Sequence, residues 1–217
     1  PEGEPVGIVQ IVHGIAEHIA RYDAFAAFLA EHGYIVVLHD QLGHGKSAPD
    51  EAHLGFFSEE NGWEKAVQDI RSLHDKTAAK YPGKPYFIFG HSMGSFIARE
   101  FAAAYGNSLT AVVFMGTSAG ISTAMWKAER TYLNMLKKAK GARAKIPSLE
   151  KIATGPYNKK FKPNRTNYDW VTSKEEEVDR FVNDPLCGFP LTVQGYIDLG
   201  TLLYAINTDQ WYRRVPK

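Results

Sequence analysis

The sequence predicts an α/β protein: a mostly parallel, doubly wound sheet, only part of it carried by these residues, with a helical cap inserted. Three observations lead there. Short apolar runs at residues 6–12, 34–38, 86–89 and 111–115 alternate with stretches of helical period, and alternation of this kind means parallel strands with crossover helices on both faces. A serine flanked by glycines, Gly90-His91-Ser92-Met93-Gly94, sits between a strand-like and a helix-like run. Beyond Gly116 the alternation stops, and residues 121–205 read as helical stretches broken by Pro and Gly. The boundaries expected are a core over 1–118, a cap over 119–207 and a return to the core over 208–217.

Each element follows in order. Residues 6–12 form a buried strand, and Tyr22, Phe25, Phe28 and Leu29 share one face of a helix over 21–31 that ends at Gly33. Residues 34–38 form a second strand. A glycine-containing loop leads to a helix over 61–81 with the stripe Trp63, Val67, Ile70 and Leu73, stopped by Pro82-Gly83. Strand 86–89, the serine turn, a helix to about Tyr105 and strand 111–115 follow. That last strand would be an apolar edge without a neighbour, so both ends of the chain read as cut, and 211–217 read as the run-up to a further strand. In the cap, Met125, Trp126, Tyr132, Met135, Tyr157, Phe161, Tyr168, Trp170, Phe181, Phe189 and Tyr196 are candidates for an apolar channel, about a third of them facing a pocket.

The chain has 217 residues, 44% hydrophobic and 23% charged, with a net charge of +1, enough to bury a substantial core. It contains no apolar run of the roughly 20 residues that a bilayer span needs. A single cysteine, Cys187, excludes an internal disulfide and fits a reducing compartment, so the expected location is the cytoplasm. The charge is uneven: residues 126–174 hold 13 Lys or Arg against Glu129, Glu150 and Asp169. A basic cap of this kind is either a solvated face or a means of transient contact with an anionic membrane surface. Nucleic acid is not expected as a partner, because no recognised binding motif accompanies these residues.

Serine is a weak nucleophile at neutral pH. It needs a base, and the tetrahedral intermediate needs donors aimed at its oxyanion. Ser92 supplies the attacking oxygen, and Gly90 and Gly94 let a strained turn present it. The backbone N–H of Met93 and that of Ile15, in the loop His13-Gly14-Ile15-Ala16-Glu17-His18, are the expected oxyanion donors. His91 is expected to project away from the serine. Glu17 is read as lying near a helix N-terminus. Asp40, in Asp40-Gln41-Leu42-Gly43-His44-Gly45-Lys46-Ser47, is expected to hold its loop by accepting backbone N–H bonds; His44, His18 and His39 are read as structural. No histidine follows Ser92: the eight lie at 13, 18, 32, 39, 44, 53, 74 and 91. No metal site, phosphate loop or dinucleotide motif is apparent, since His44 and His53 lack a cluster at ligand spacing and Cys187 has no partner thiol.

Residues 13–18 with Arg21-Tyr22, then 40–47, then 90–95 occur in an order and spacing that resemble the monoacylglycerol lipase and lysophospholipase branch of the α/β-hydrolase superfamily. The similarity is strong over residues 6–118 and weak through the cap, where Asn183-Asp184-Pro185-Leu186 is most family-like. The resemblance implies an eight-stranded fold with a helical lid and cofactor-free hydrolysis of glycerol or lysophospholipid esters through a serine acyl-enzyme. By position, Ser92 matches the nucleophile and Ile15 and Met93 the oxyanion donors, while the triad acid and histidine have no match within these residues. A small-amide or peptide hydrolase and a non-catalytic lipid-binding protein remain the alternatives.

Overall fold

The computed structural model describes residues 1 and 3–216. Four strands, β1 (Gly7–Val12), β2 (Tyr34–Leu38), β3 (Tyr86–His91) and β4 (Ala111–Met115), form one parallel sheet in the order β2-β1-β3-β4. The crossovers are α1 (Asp23–Glu31), α2 (Gly62–Lys80) and α3 (Met93–Tyr105). Register places Val12 opposite Gly90, and Gly90 opposite Phe114, so the strand ends that carry residues 13–18 and 90–94 lie side by side.

Strand alternation assigns the two faces. Tyr86 and Ile88 are buried, and the Tyr86 ring meets His74 of α2 at 4.3 Å. Phe87 and Phe89 point the other way, where Phe89 meets Phe25 of α1 at 5.1 Å. Ile8, Ile70, Ile88, Ile97 and Phe101 fill the centre of the α2/α3 side. Burial of each such side chain contributes about 1.5–3 kcal/mol.

Two helical faces differ from the sequence pattern. On α1, Phe25 and Leu29 turn inward while Phe28 is 52% exposed and rests on His32, because one helix over a sheet margin covers too narrow a stripe to include all three. On α2 the closest positions are Ala66, Val67, Ile70, His74 and Thr77, with Trp63 and Leu73 half-buried. Edge strand β4 leaves Val113, Phe114 and Met115 exposed.

The cap comprises α4 (Thr123–Lys140), α5 (Pro147–Ala153), α6 (Gly155–Asn158), α7 (Glu175–Asn183) and α8 (Val193–Ala205). α8 anchors it. A Cβ on Gly200 would collide with the buried Trp126 ring of α4, so glycine permits the close α4–α8 approach. Asp198 accepts from the Gly62 N–H at 3.0 Å, and the Thr192 N–H and hydroxyl both donate to Gly55 O at 3.0 Å. Residues 209–214 form a further helix, α9 (Asp209–Arg214). Thr208 caps it by accepting from the Trp211 N–H, and Asp209 and Arg213-Arg214 complement its dipole. The Arg214 fork donates to both carboxylate oxygens of Glu100 at 2.9 Å, holding α9 against α3.

Candidate active site

Ser92 occupies the turn between β3 and α3 with φ 51° and ψ −121°, a region that costs a non-glycine residue roughly 1–3 kcal/mol. The neighbouring contacts explain the glycines. A Cβ on Gly94 would strike the Val12 and His13 carbonyl oxygens, and one on Gly90 would lie 2.6 Å from Gly94 O. A Cβ on Gly14 would come within 3.2 Å of the Ser92 Cβ. The 13–18 loop therefore lies directly against the serine. The Met93 N–H, at the first position of α3, has no carbonyl partner within its helix.

Ala16 turns the loop with φ 51°, and the buried Glu17 holds it. Its Oε1 accepts from the Gly14 N–H at 2.5 Å and the Tyr22 hydroxyl at 2.7 Å, and lies 3.1 Å from His91 Nδ1; its Oε2 pairs with Arg21. Burial raises the Glu17 carboxyl. The His91 bond, the Arg21 charge and the Tyr22 bond outweigh it and bring the group down to about 2. Burial and the Glu17 charge push the Tyr22 phenol up, so it stays a donor. His91 Nδ1 is also 2.8 Å from the Tyr22 oxygen. With the tyrosine proton given to Glu17, the Nδ1–H is shared between the two oxygens. His91 Nδ1 is thus engaged by Glu17 and Tyr22, and its ring lines the same cavity as Ser92.

The second loop is locked to the first. His13 Nε2 accepts from the Gln41 N–H at 3.0 Å, so the hydrogen sits on Nδ1 and donates to Gly14 O at 2.8 Å; burial lowers this histidine, keeping it neutral. Asp40 accepts from the Lys46 N–H at 2.8 Å and also from the Ile19 N–H at 2.9 Å, tying both loops together. Gly45 is required because a Cβ there would overlap the Asp40 carboxyl. His44 is buried, held near 3 by desolvation, and reaches Leu42 O at 2.9 Å.

Above the serine is a cavity of about 180 Å³ bordered by Gly14, Ile15, Glu17, Arg21, His91 and Ser92 from the core. From the cap, five of the eleven expected aromatic and Met positions reach it: Tyr168, Trp170, Phe181, Phe189 and Tyr196. Met125, Tyr132, Met135, Tyr157 and Phe161 are instead exposed, and Trp126 is buried under α8. Among the described residues, no histidine ring nitrogen is hydrogen-bonded to the Ser92 hydroxyl. His18 pairs with Asp184 at 2.8 Å, His53 with Asp50 at 2.6 Å, His74 with Asp75 at 2.8 Å and His32 with Phe28 O at 2.7 Å.

Sequence reasoning missed the Glu17 hub, although Arg21 and Tyr22 four and five residues on are a readable signal. It also missed a cluster that no local spacing reveals, His18, Asp184 and Cys187, whose ligand atoms lie within 4.8 Å of one another. Burial and the Asp184 charge push the Cys187 thiol up to about 12.

Residues 3–216 match the family described as Serine aminopeptidase, S33. The chain belongs to this family. A carboxyl esterase from Bacillus coagulans, solved with glycerol, superposes with a TM-score of 0.89 at 30% identity, covering 100% of this chain and 69% of that one. The chain is thus an α/β-hydrolase with a helical cap, and it is similar to proteins of the monoacylglycerol lipase and lysophospholipase branch. Monoacylglycerol lipase of Mycolicibacterium smegmatis is 35% identical over 116 residues, 54% of this chain and 39% of that protein. Phospholipase YtpA of Bacillus subtilis is 26% identical over 214 residues, 98% of this chain and 73% of its own. Human monoglyceride lipase is 35% identical over 98 residues, 45% of this chain. The chain's match spans 39% of the Mycolicibacterium relative and 30% of the human one.

Proposed function

We propose that this chain carries the nucleophile half of a carboxylic ester hydrolase that acts on lipid-like esters such as monoacylglycerols or lysophospholipids. The observation that carries the reading is the Ser92 hydroxyl, held on a left-handed turn against the 13–18 loop and opening into the cap-covered cavity. Its oxygen attacks the ester carbonyl and forms the acyl-enzyme as the alcohol leaves; water then releases the acid. The N–H groups of Ile15 and Met93 receive the developing oxyanion. Because no described histidine ring nitrogen is hydrogen-bonded to the Ser92 hydroxyl, the base is taken to be a histidine outside residues 1–217. No cofactor is required by this chemistry.

Ile15, Val171, Phe181, Phe189 and Leu191 give the cavity an apolar wall suited to an acyl chain. At about 180 Å³ it falls below the roughly 300–1,000 Å³ of ordinary ligand sites, so a long chain enters only if the cap shifts. Exposed Ile152, Tyr157 and Phe161 alternate with Lys151, Lys159, Lys160 and Lys162 on the outer cap, which supports transient contact with an anionic membrane. No described helix is long and apolar enough to cross a membrane.

The test uses the full-length protein. A fluorophosphonate probe labels Ser92, and monoacylglycerol is hydrolysed in preference to an aminoacyl amide. Preference for the amide assigns the chain to peptidase chemistry instead, and absence of labelling leaves a lipid-binding protein.

A further inference from the structure

Folding brings three different donor types together, with His18 and Asp184 166 residues apart in sequence: His18 Nε2, an Asp184 carboxylate oxygen and Cys187 Sγ, all within 4.8 Å of one another. We propose that these side chains form a site for a thiophilic divalent cation of the zinc class, which clips cap residues 184–188 to the loop that follows β1.

The donor set fits that chemistry. Nitrogen, carboxylate oxygen and thiolate sulfur are the three ligand types zinc takes, and three protein ligands plus water complete a tetrahedron. Bond lengths of about 2.0–2.3 Å place ligand atoms about 3.5 Å apart. The His18–Asp184 pair, now at 2.8 Å, therefore opens slightly and the thiol moves in by about an ångström. The backbone is already arranged for this. Asp184 Oδ1 accepts from the Leu186 N–H at 2.8 Å and Asp184 O from the Cys187 N–H at 3.0 Å, forming a turn that leaves Oδ2 facing His18. The Gly188 N–H donates to Ala16 O at 2.9 Å, so cap segment and core loop already touch beside the cluster.

The fourth position has access to solvent. His18, Asp184 and Cys187 border a surface cleft shared with Arg21, Asp23, Glu177 and Arg180. There the carboxylates of Asp23 and Glu177 offset the two arginines and leave a cation a path. On binding, the Cys187 S–H bond breaks, a sulfur–metal bond forms and one proton leaves to solvent. Because His18 follows Glu17 directly, the bound ion would restrain cap motion over the cavity whatever Ser92 does.

Titration of the reduced full-length protein with Co²⁺ tests this. The expected result is a thiolate-to-cobalt charge-transfer band that saturates at one equivalent, is displaced by one equivalent of Zn²⁺, and disappears in Cys187→Ser. Asp184→Asn is expected to weaken Zn²⁺ binding more than roughly 100-fold, beyond the 10–100-fold cost of a lost outer-shell partner. A second readout needs no variant: Zn²⁺ slows alkylation of Cys187, followed by peptide mapping. The proposal is overturned if the unaltered protein shows no thiolate band, if Cys187→Ser keeps it, or if Zn²⁺ leaves alkylation of Cys187 unchanged.

Discussion

Replacing Glu17 by Gln keeps the size of the side chain and removes the charge on which the 13–18 loop converges. The carboxyl is held at about 2 instead of 4.5, which corresponds to about 3 kcal/mol of stability at neutral pH. An independent route gives a similar size, since stripping one partner from a buried ion pair costs about 3–5 kcal/mol. Because the folded carboxyl is depressed, its contribution is complete above pH 4.5 and drains away as pH falls toward 2. Urea unfolding followed by tryptophan fluorescence should therefore separate Glu17→Gln from the unaltered protein by about 3 kcal/mol at pH 7, and by less than half of that at pH 3. A gap below about 1 kcal/mol at pH 7, or one that is the same at both pH values, would refute the hub.

Three further outcomes follow from the same contacts. Gly94→Ala places a methyl group on the Val12 and His13 carbonyls and should lower stability by more than about 3 kcal/mol, measured as a fall in urea midpoint with loss of fluorophosphonate labelling. His44 is kept neutral by burial, so stability should fall as pH drops from 6.5 toward 3; His44→Gln should remove up to about 1.4 kcal/mol per pH unit from that slope, read by unfolding at pH 7 and pH 5. Ile88→Ala opens a void at a fully buried position and should cost about 2–5 kcal/mol, with fluorophosphonate labelling retained wherever the variant stays folded.

Where one local rule governed, the sequence read well. The four strands are short apolar runs bounded by turn residues, and β2 and β4 fall on the expected residues although β2 is half-buried and β4 largely exposed. The serine turn was legible because Gly90 and Gly94 report close backbone approaches that no other residue allows. Contacts between distant segments were not legible. Phe28 shares the period of Phe25 and Leu29 yet lies outside, since periodicity defines a face but not how much of it a neighbour covers. Glu17 looked like a helix-terminus acid, and only the fold supplies His91, 74 residues away, as its partner. The His18–Asp184–Cys187 cluster joins core and cap, beyond any spacing rule. Helix α9 was not foreseen, although Thr208 and Asp209 are the start signals of a helix.

The reading as a whole is tested most directly by intact-mass and peptide analysis of the full-length protein after brief exposure to a fluorophosphonate, with Ser92→Ala alongside. The account predicts one adduct per chain, located on Ser92 and lost in the variant. An adduct elsewhere, or an unmodified Ser92 in protein that hydrolyses esters, would contradict it.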